Sequence, residues 1–284
     1  MKTLIKLFIV SFIAMISLTA FKKSSEPASN NQKILKAPES IVYDAAHKRY
    51  LLSTNQNGDI IQIDSTGKQE YFVKNKNAVQ GLEIVGNVVY VGARSSIRGF
   101  DLNTGEMVMN LPVDGVSNLN DVTSDDKGNL YAGDVFGTKI IKIDIKKKSY
   151  SVFVNGQGID HPNGIIFDKP NNRILVCSYR KNSPIQAINL ADSTVSTLTT
   201  TNISMCDGIA IDKYGRCYVT SWETFSIYCF DPTFSESPEL FYKNPNGPAD
   251  ISYDKIHDEL NIPLMFSNSY EVILILPILP PKKQ

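Results

Sequence analysis

Side chains that carry oxygen ligands recur along this 284-residue chain at a nearly constant spacing. A short apolar phrase occurs six times, and in five copies the residue before it has a side-chain oxygen. The residues at this position, separated by steps of 41, 40, 43, 44 and 42, are Glu39, Gln80, Asn120, Asn163, Asp207 and Ala249. Carboxylate and amide oxygens without His or Cys are hard ligands. If they meet, they would bind one divalent cation, with Ca²⁺ preferred over Mg²⁺, Mn²⁺ or Zn²⁺.

A simpler interpretation stays open for single members of this set. Asn-Gly and Asp-Gly are common turn dipeptides, so Asn163 or Asp207 alone could cap a turn. Turn chemistry does not explain Glu39 or the equivalent register in successive copies. The joint pattern therefore favours a cation site.

The elements that must position these residues are short strands. Each copy contains strand-like segments separated by polar turns, and a period near 42 residues is typical of a radial β array. Six copies predict an all-β, six-bladed β-propeller with four-stranded blades over residues 33–284. The residue before each inner strand would lie at one mouth of the central channel. We expect residues 32–37 to form the outermost strand of the last blade and to close the ring.

The first 20 residues have the pattern of a removable secretion signal. Lys2 and Lys6 precede a 14-residue, largely apolar run that is short for a membrane span. Residues 21–32 then have the composition of a flexible leader. The sequence predicts an exported protein, periplasmic or secreted, that is not inserted in a membrane after the signal is removed.

Composition narrows the classes of partner. The 29 acidic and 29 basic residues give zero formal charge, which provides no electrostatic reason to bind nucleic acid or an anionic membrane. The sequence has no G-x-S-x-G elbow, phosphate loop or dinucleotide fingerprint. A small-molecule substrate or ligand is the expected partner, and the oligomeric state is left open.

Further candidate residues lie in the loops that should surround the same mouth. Trp222, the single tryptophan, falls in a loop, where it suits either a ligand pocket or the packing between blades. Asp134 is a candidate second carboxylate. The residues predicted to contact substrate are Gln80, Arg94, Asn120, His161, Arg180 and Trp222.

Four short motifs carry a family resemblance: A-P-E at 37–39, L-N-D at 119–121, P-N-G at 162–164 and C-D-G at 206–208. With their order and spacing, the chain resembles the gluconolactonase and senescence-marker-protein (regucalcin) family of six-bladed propellers. The resemblance implies that Glu39, Asn163 and Asp207 bind one divalent metal and that Asp207 is also the general base. It implies that Asn120 helps to hold substrate or a metal-bound water. Asn118 stands where sugar-lactone hydrolases of the family usually have Arg.

Two functional hypotheses follow. The first is an exported, divalent-metal-dependent hydrolase of a lactone or similar cyclic ester, with Asp207 or Asp134 accepting the proton. The alternative is a non-catalytic propeller, similar to NHL-repeat proteins, that binds a small ligand or a protein on the same face.

Overall fold

A computed structural model describes residues 22–23, 34–74, 76 and 80–277. Within these ranges there are 24 strands and two 3-10 helices, Lys169–Asn171 and Met265–Ser267. The strands are β1 Lys22–Lys23, β2 Pro38–Asp44, β3 Arg49–Thr54, β4 Ile60–Asp64, β5 Gln69–Val73, β6 Leu82–Val85, β7 Val88–Gly92, β8 Ser96–Asp101, β9 Met107–Pro112, β10 Leu119–Ser124, β11 Asn129–Asp134, β12 Lys139–Asp144, β13 Ser149–Asn155, β14 Pro162–Asp168, β15 Arg173–Ser178, β16 Ile185–Asn189, β17 Val195–Thr199, β18 Cys206–Ile211, β19 Cys217–Ser221, β20 Ser226–Phe230, β21 Glu239–Lys243, β22 Ser252–Asp254, β23 Glu259–Leu264 and β24 Ser269–Leu274.

The strands form six antiparallel sheets of four, and this confirms the predicted six-bladed β-propeller. In order along the chain, blades 1 to 5 are β2–β5, β6–β9, β10–β13, β14–β17 and β18–β21, and blade 6 is β22–β23–β24–β1. The first strand of each sheet is the inner one, and these six strands contact one another around the channel. Inner strands such as β10 are almost wholly buried, whereas outer strands such as β13 are mostly exposed. This gradient explains why apolar runs mark the inner strands in the sequence.

Apolar side chains between neighbouring blades hold the ring together. Among the described residues there are six clusters of buried side chains, and each lies at a junction between blades. At the junction of blades 6 and 1, Ile41 and Leu52 pack with Tyr270. There the N–H of Asp250 also donates to the carbonyl of Glu39 at 2.9 Å. The ring is therefore closed by packing and hydrogen bonding between residues about 200 positions apart.

The predicted closing strand at residues 32–37 is wrong in its position. The strand that joins blade 6 is β1, whose Lys22 and Lys23 pair with Ile273 and Val272. Residues 34–37 form no strand. Leu35 is instead fully buried in the cluster at the closing junction, and the N–H groups of residues 34 and 35 donate to Gln69 Oε1. This segment seals the junction with a side chain instead of extending a sheet.

Much of the N-terminal segment lies beyond these residues. The predicted secretion signal, residues 1–20, is outside the described residues, and of the predicted leader only Lys22–Lys23 is described. None of the helices in the described ranges is long and apolar enough to cross a membrane.

A candidate cation and substrate site at the channel mouth

A repeated irregularity of the inner strands aims the candidate ligands at the axis. In blade 1, Pro38 pairs with Thr54 and Ile41 with Leu52, so Glu39 falls in a register shift. The inner strands of blades 3, 4 and 5 have the same shift, and the residues within it include Asn120, Asn163 and Asp207. Bulges of this kind bend a strand and redirect a side chain. Asn163 and Asp207 therefore lie in strands, and the turn-cap interpretation of their Asn-Gly and Asp-Gly dipeptides is wrong.

Strained backbone precedes the three predicted metal ligands. Two residues before each of them, Ala37, His161 and Met205 have φ values of 44°, 51° and 50°. Residues other than glycine seldom adopt this left-handed conformation, which costs on the order of 1 kcal/mol or more per residue. The carbonyl of each accepts an N–H from the loop after the second strand of its blade, donated by Asn55, Tyr179 and Trp222. Fourteen described residues other than glycine have a positive φ, and these three precede the predicted ligand positions in the same way.

The amide and acid side chains at the mouth form a continuous hydrogen-bonded chain. Asn120 Nδ2 donates to Asn163 Oδ1, and Asn163 Nδ2 donates to Asp207 Oδ1 at 2.6 Å. Trp222 donates a further side-chain hydrogen bond to Asp207. Burial raises the pKa of Asp207 to about 6, although the hydrogen bonds from Trp222 and Asn163 oppose the shift. Blades 3, 4 and 5 therefore contribute to one connected group.

Glu39 completes this group from blade 1. Burial raises the pKa of its carboxyl group well above the ordinary value, and the neighbouring carboxylates of Asp207, Asp250 and Asp121 raise it further. Glu39 Oε2 and Asn120 Oδ1 are buried and have no hydrogen-bond partner among the described residues. Buried oxygens rarely lack a partner, and a cation is the partner that these hard ligands prefer. The residues present therefore fit a divalent cation.

Two carboxylates that the sequence analysis left out of the site lie deeper in the channel. Asp121 follows Asn120 directly, and burial, with the nearby Asp250, raises its pKa well above the ordinary value. Burial raises the pKa of Asp250 to about 8, against a hydrogen bond from Ser40. A cavity of about 840 Å³ extends from these carboxylates along the channel to the turns on the opposite face. The repeat offered one signal for them, because both stand one position beyond the aligned ligand position.

Asp134 lies next to the predicted ligands, but its carboxylate already accepts hydrogen bonds from the loop before β10. Its Oδ1 accepts the N–H groups of Ser117 and Asn118 at 2.9 and 2.8 Å, and also the hydroxyl group of Ser117. Asn118 in turn accepts a hydrogen bond from Gln80 Nε2 at 3.4 Å. These contacts fix the segment that carries Asn120 toward the axis.

The charged residues predicted to contact substrate lie at the rim of the mouth. Asp160 joins two of them, because it pairs with His161 Nδ1 at 2.7 Å and with Arg180 at 3.4 Å. Arg94 is exposed, and its backbone bridges to Leu119 at the start of β10. All three are accessible to a ligand, and they are less buried than the amide and acid group at the axis.

Trp222 belongs to an aromatic group at one side of the mouth. Its ring centroid lies 5.5 Å from that of Phe266 and 6.5 Å from that of Phe225. Phe266 is 58% exposed. Because Trp222 also bonds Asp207, the group places an apolar surface beside the acid. Sequence reasoning missed both phenylalanines, since they lie in loops of different blades with no motif to link them.

The fold and this mouth define a class of protein: a six-bladed β-propeller with a buried acid and amide group at one end of its channel. The family model described as the SMP-30/gluconolactonase/LRE-like region matches residues 37–237. The chain belongs to this family, and the resemblance predicted from the short motifs is confirmed.

Solved structures with the same fold include a gluconolactonase from Xanthomonas campestris, at 14% identity and a TM-score of 0.72 over 84% of this chain and 86% of that one. A protein of unknown function from Bacteroides thetaiotaomicron is 11% identical, with a TM-score of 0.69 over 90% of this chain and 72% of that one. A chain of a nidogen/laminin complex is 15% identical, with a TM-score of 0.64 over 80% and 93% of the two chains. A sequence comparison with curated proteins finds no match. At these identities the solved structures support the fold alone.

Proposed function

We propose that this protein is an exported, divalent-cation-dependent hydrolase of a lactone or similar cyclic ester. Family membership supports the reaction class. The observation that carries the proposal is the pair of buried, unpartnered oxygens on Glu39 and Asn120, close to Asp207. Glu39, Asn163 and Asp207 would hold the cation, Ca²⁺ by preference, and it would polarise the ester carbonyl.

The protein's own groups have separate tasks in this proposal. Asp207, held in place by Asn163 and Trp222, accepts the proton of the attacking water. Asn120 Oδ1, which has no hydrogen-bond partner among the described residues, would accept a hydrogen bond from the attacking water beside the cation. Asp134 is the alternative base, but its Oδ1 is already occupied by the loop before β10. We therefore assign Asp134 to positioning that loop.

The rim of the mouth favours a lactone with an apolar substituent. Trp222 and the exposed Phe266 provide an apolar surface beside Asp207. Asn118 replaces the Arg that is usual in sugar-lactone hydrolases of the family. Alkyl- or aryl-substituted lactones should therefore be hydrolysed faster than sugar lactones.

Turnover of a lactone panel by the purified protein, with and without chelator, tests the function. The panel contains alkyl-substituted, aryl-substituted and sugar lactones. We expect cation-dependent hydrolysis that falls at least about 100-fold in Asp207→Ala, because the variant lacks both a ligand and the base. In Glu39→Gln, calorimetry should show Ca²⁺ affinity reduced by at least about tenfold.

Glu70→Gln is the matched control, since it makes the same change at an exposed position of blade 1. Its activity and Ca²⁺ affinity should equal those of the wild type. Full activity in Asp207→Ala would exclude the mechanism. Ca²⁺ binding without turnover of any lactone would instead favour the alternative, a propeller that binds a ligand at this mouth.

A further inference from the structure

The face opposite the candidate site carries a repeated ion-pair arrangement. At or just after the end of an inner strand, an Asp accepts a side-chain hydrogen bond from a residue at or just before the start of the next strand. In blade 1, Arg49 Nε donates to Asp44 Oδ2 at 2.9 Å. Equivalent bonds of 2.6–2.7 Å occur in blades 3, 4 and 5, and they join Asn129 to Asp125, Arg173 to Asp168 and Arg216 to Asp212. In these four blades a donor thus satisfies the buried carboxylate.

Blade 6 differs from these four blades, because it has an acid at the position of the donor. Asp254 pairs across the strands with Glu259, in the same register that pairs Asp44 with Arg49 in blade 1. Neither Asp254 nor Glu259 forms an ion pair with a lysine or arginine of the described residues. Like charges directly opposite each other on paired strands are destabilising. In blade 6 an acid therefore stands where blade 1 has a guanidinium, and two carboxylates lie opposite each other.

A histidine completes the group. His257 Nδ1 lies 2.6 Å from Asp254 Oδ2, while Asp254 Oδ1 accepts the N–H of Ile256 at 2.8 Å. Ligand atoms of Asp254, His257 and Glu259 all lie within 4.8 Å of one another. Around a tetrahedral ion with bonds of about 2.0 Å, ligand atoms are about 3.3 Å apart. The half-exposed imidazole and the flexible glutamate can close that difference.

We infer that Asp254, His257 and Glu259, the far-face cluster, bind a divalent transition-metal ion of the Zn²⁺ type. One imidazole and two carboxylates form a ligand set that suits Zn²⁺ better than Ca²⁺ or Mg²⁺. The ion takes the electrostatic place of the arginine in blades 1, 4 and 5. This site is separate from the proposed lactonase site, which lies at the other end of the inner strands.

The position of the far-face cluster gives the ion a structural role. Tyr50 of blade 1 donates a hydrogen bond to Glu259 Oε2 at 3.4 Å. The rings of Tyr43 and His257 pack edge to face, with their centroids 4.9 Å apart. The cluster thus lies at the junction where the first and last blades meet. Binding of an ion there would stabilise ring closure.

Calorimetric titration of the chelator-stripped full chain with Zn²⁺, in saturating Ca²⁺, tests the inference. We expect one equivalent of Zn²⁺ to bind to the wild type and to raise its Tm. Glu259→Arg recreates the Asp–Arg pair that Asp44 and Arg49 form in blade 1, and this variant should bind Zn²⁺ about 10–100-fold more weakly. His257→Ala should have the same effect, and Glu259→Gln provides a smaller change if the arginine variant does not fold.

His47→Ala is the matched control, because His47 lies against Asp44 in the same kind of turn but beside Arg49. This variant should keep wild-type Zn²⁺ affinity. The inference is overturned if the wild type binds no stoichiometric Zn²⁺, or if His257→Ala and the Glu259 variants bind it as tightly as the wild type. Lactone turnover in Ca²⁺ reports on the mouth independently, so failure of one proposal does not imply failure of the other.

Discussion

At the scale of the residue, burial of acids along the axis is the dominant electrostatic feature. Burial raises the pKa of each of the carboxyl groups of Glu39, Glu83, Asp121, Asp207 and Asp250. Charged carboxylates in such surroundings need a cation or a proton. Four of the five adjoin the proposed cation site. Glu83 lines the same cavity, and its charge helps to raise the pKa of Asp121 and Asp250. Burial is the largest cause of its own raised pKa, and hydrogen bonds from Ser124 and the charge of Lys255 oppose it.

Glu83→Gln should make the stability of the protein less dependent on pH. Burial raises the pKa of Glu83 from 4.5 to about 7, so the folded state holds this proton more tightly than the unfolded state. Its stabilising contribution is complete below pH 4.5 and is lost as the pH rises to 7. At pH 8 the variant should be more stable than the wild type by about 1–3 kcal/mol, with a smaller difference at pH 5.

Urea unfolding at the two pH values measures this difference. The control is Glu106→Gln, an exposed glutamate of the same blade, which should follow the wild type at both pH values. Parallel pH profiles for Glu83→Gln and the wild type would contradict the prediction.

At the scale of the element, close approach between blades requires glycine on the strands near the axis. A Cβ on Gly164 would lie 2.2 Å from the carbonyl oxygen of Asp207, and one on Gly208 would lie 2.4 Å from the nitrogen of Ile251. Neither glycine has a positive φ. These glycines directly follow Asn163 and Asp207. The Asn-Gly and Asp-Gly dipeptides therefore occur because the inner strand has no room for a side chain at the second position, and not because the chain turns there.

Gly92→Ala tests this packing at the second strand of blade 2. Its Cβ would lie 2.1 Å from the carbonyl oxygen of Asn120, in the inner strand of blade 3. We expect a loss of stability of about 1–3 kcal/mol and weaker Ca²⁺ binding, because β10 must shift. Thermal unfolding and calorimetry measure the two effects.

The comparison variant is Gly128→Ala, in the turn after β10. It has a φ of 80° and open space around its Cβ position, so it carries only the backbone cost of about 1 kcal/mol. Ca²⁺ affinity should not change. Equal effects of the two variants on both measurements would argue against the close approach of blades as the reason for Gly92.

At the scale of the whole molecule, stability depends on closing the ring between chain ends. β1 pairs with β24, Leu35 is buried at the junction of blades 6 and 1, and the backbones of Glu39 and Asp250 are hydrogen-bonded there. An open junction would expose the edges of strands and would move the residues of blade 1 away from the other residues at the mouth. Glu39 is the predicted ligand that comes from blade 1, so closure and cation binding should be coupled.

Removal of β1 should lower Tm. A chain that begins at residue 26 lacks Lys22–Lys23 and leaves the edge of β24 unpaired. Loss of about 1 kcal/mol corresponds to a decrease of about 2–4 °C for a domain of this size. A chain that begins at residue 21 is the reference. Replacement of both lysines by alanine keeps the backbone pairing and should leave Tm at the reference value; equal Tm for the two chain lengths would contradict the role of β1.

The number of blades and the residues that face the mouth could be predicted from the amino-acid sequence. Both follow from a local pattern, because each blade repeats the same strand, turn and bulge chemistry within about 42 residues. The register that placed Glu39, Asn120, Asn163 and Asp207 together depended on nothing beyond this period. Short motifs at the same positions were enough to indicate the family, which the match over residues 37–237 confirms.

Contacts between residues of different blades could not be predicted in this way, because the partners are brought together by the folded ring. Phe266 meets Trp222, and Tyr50 reaches Glu259 across 209 positions of sequence. No periodic pattern relates these partners, since ring closure and interblade packing set their distances. The position of the closing strand also depends on the folded ring, because Leu35 is buried in the cluster at the junction and residues 34–37 form no strand.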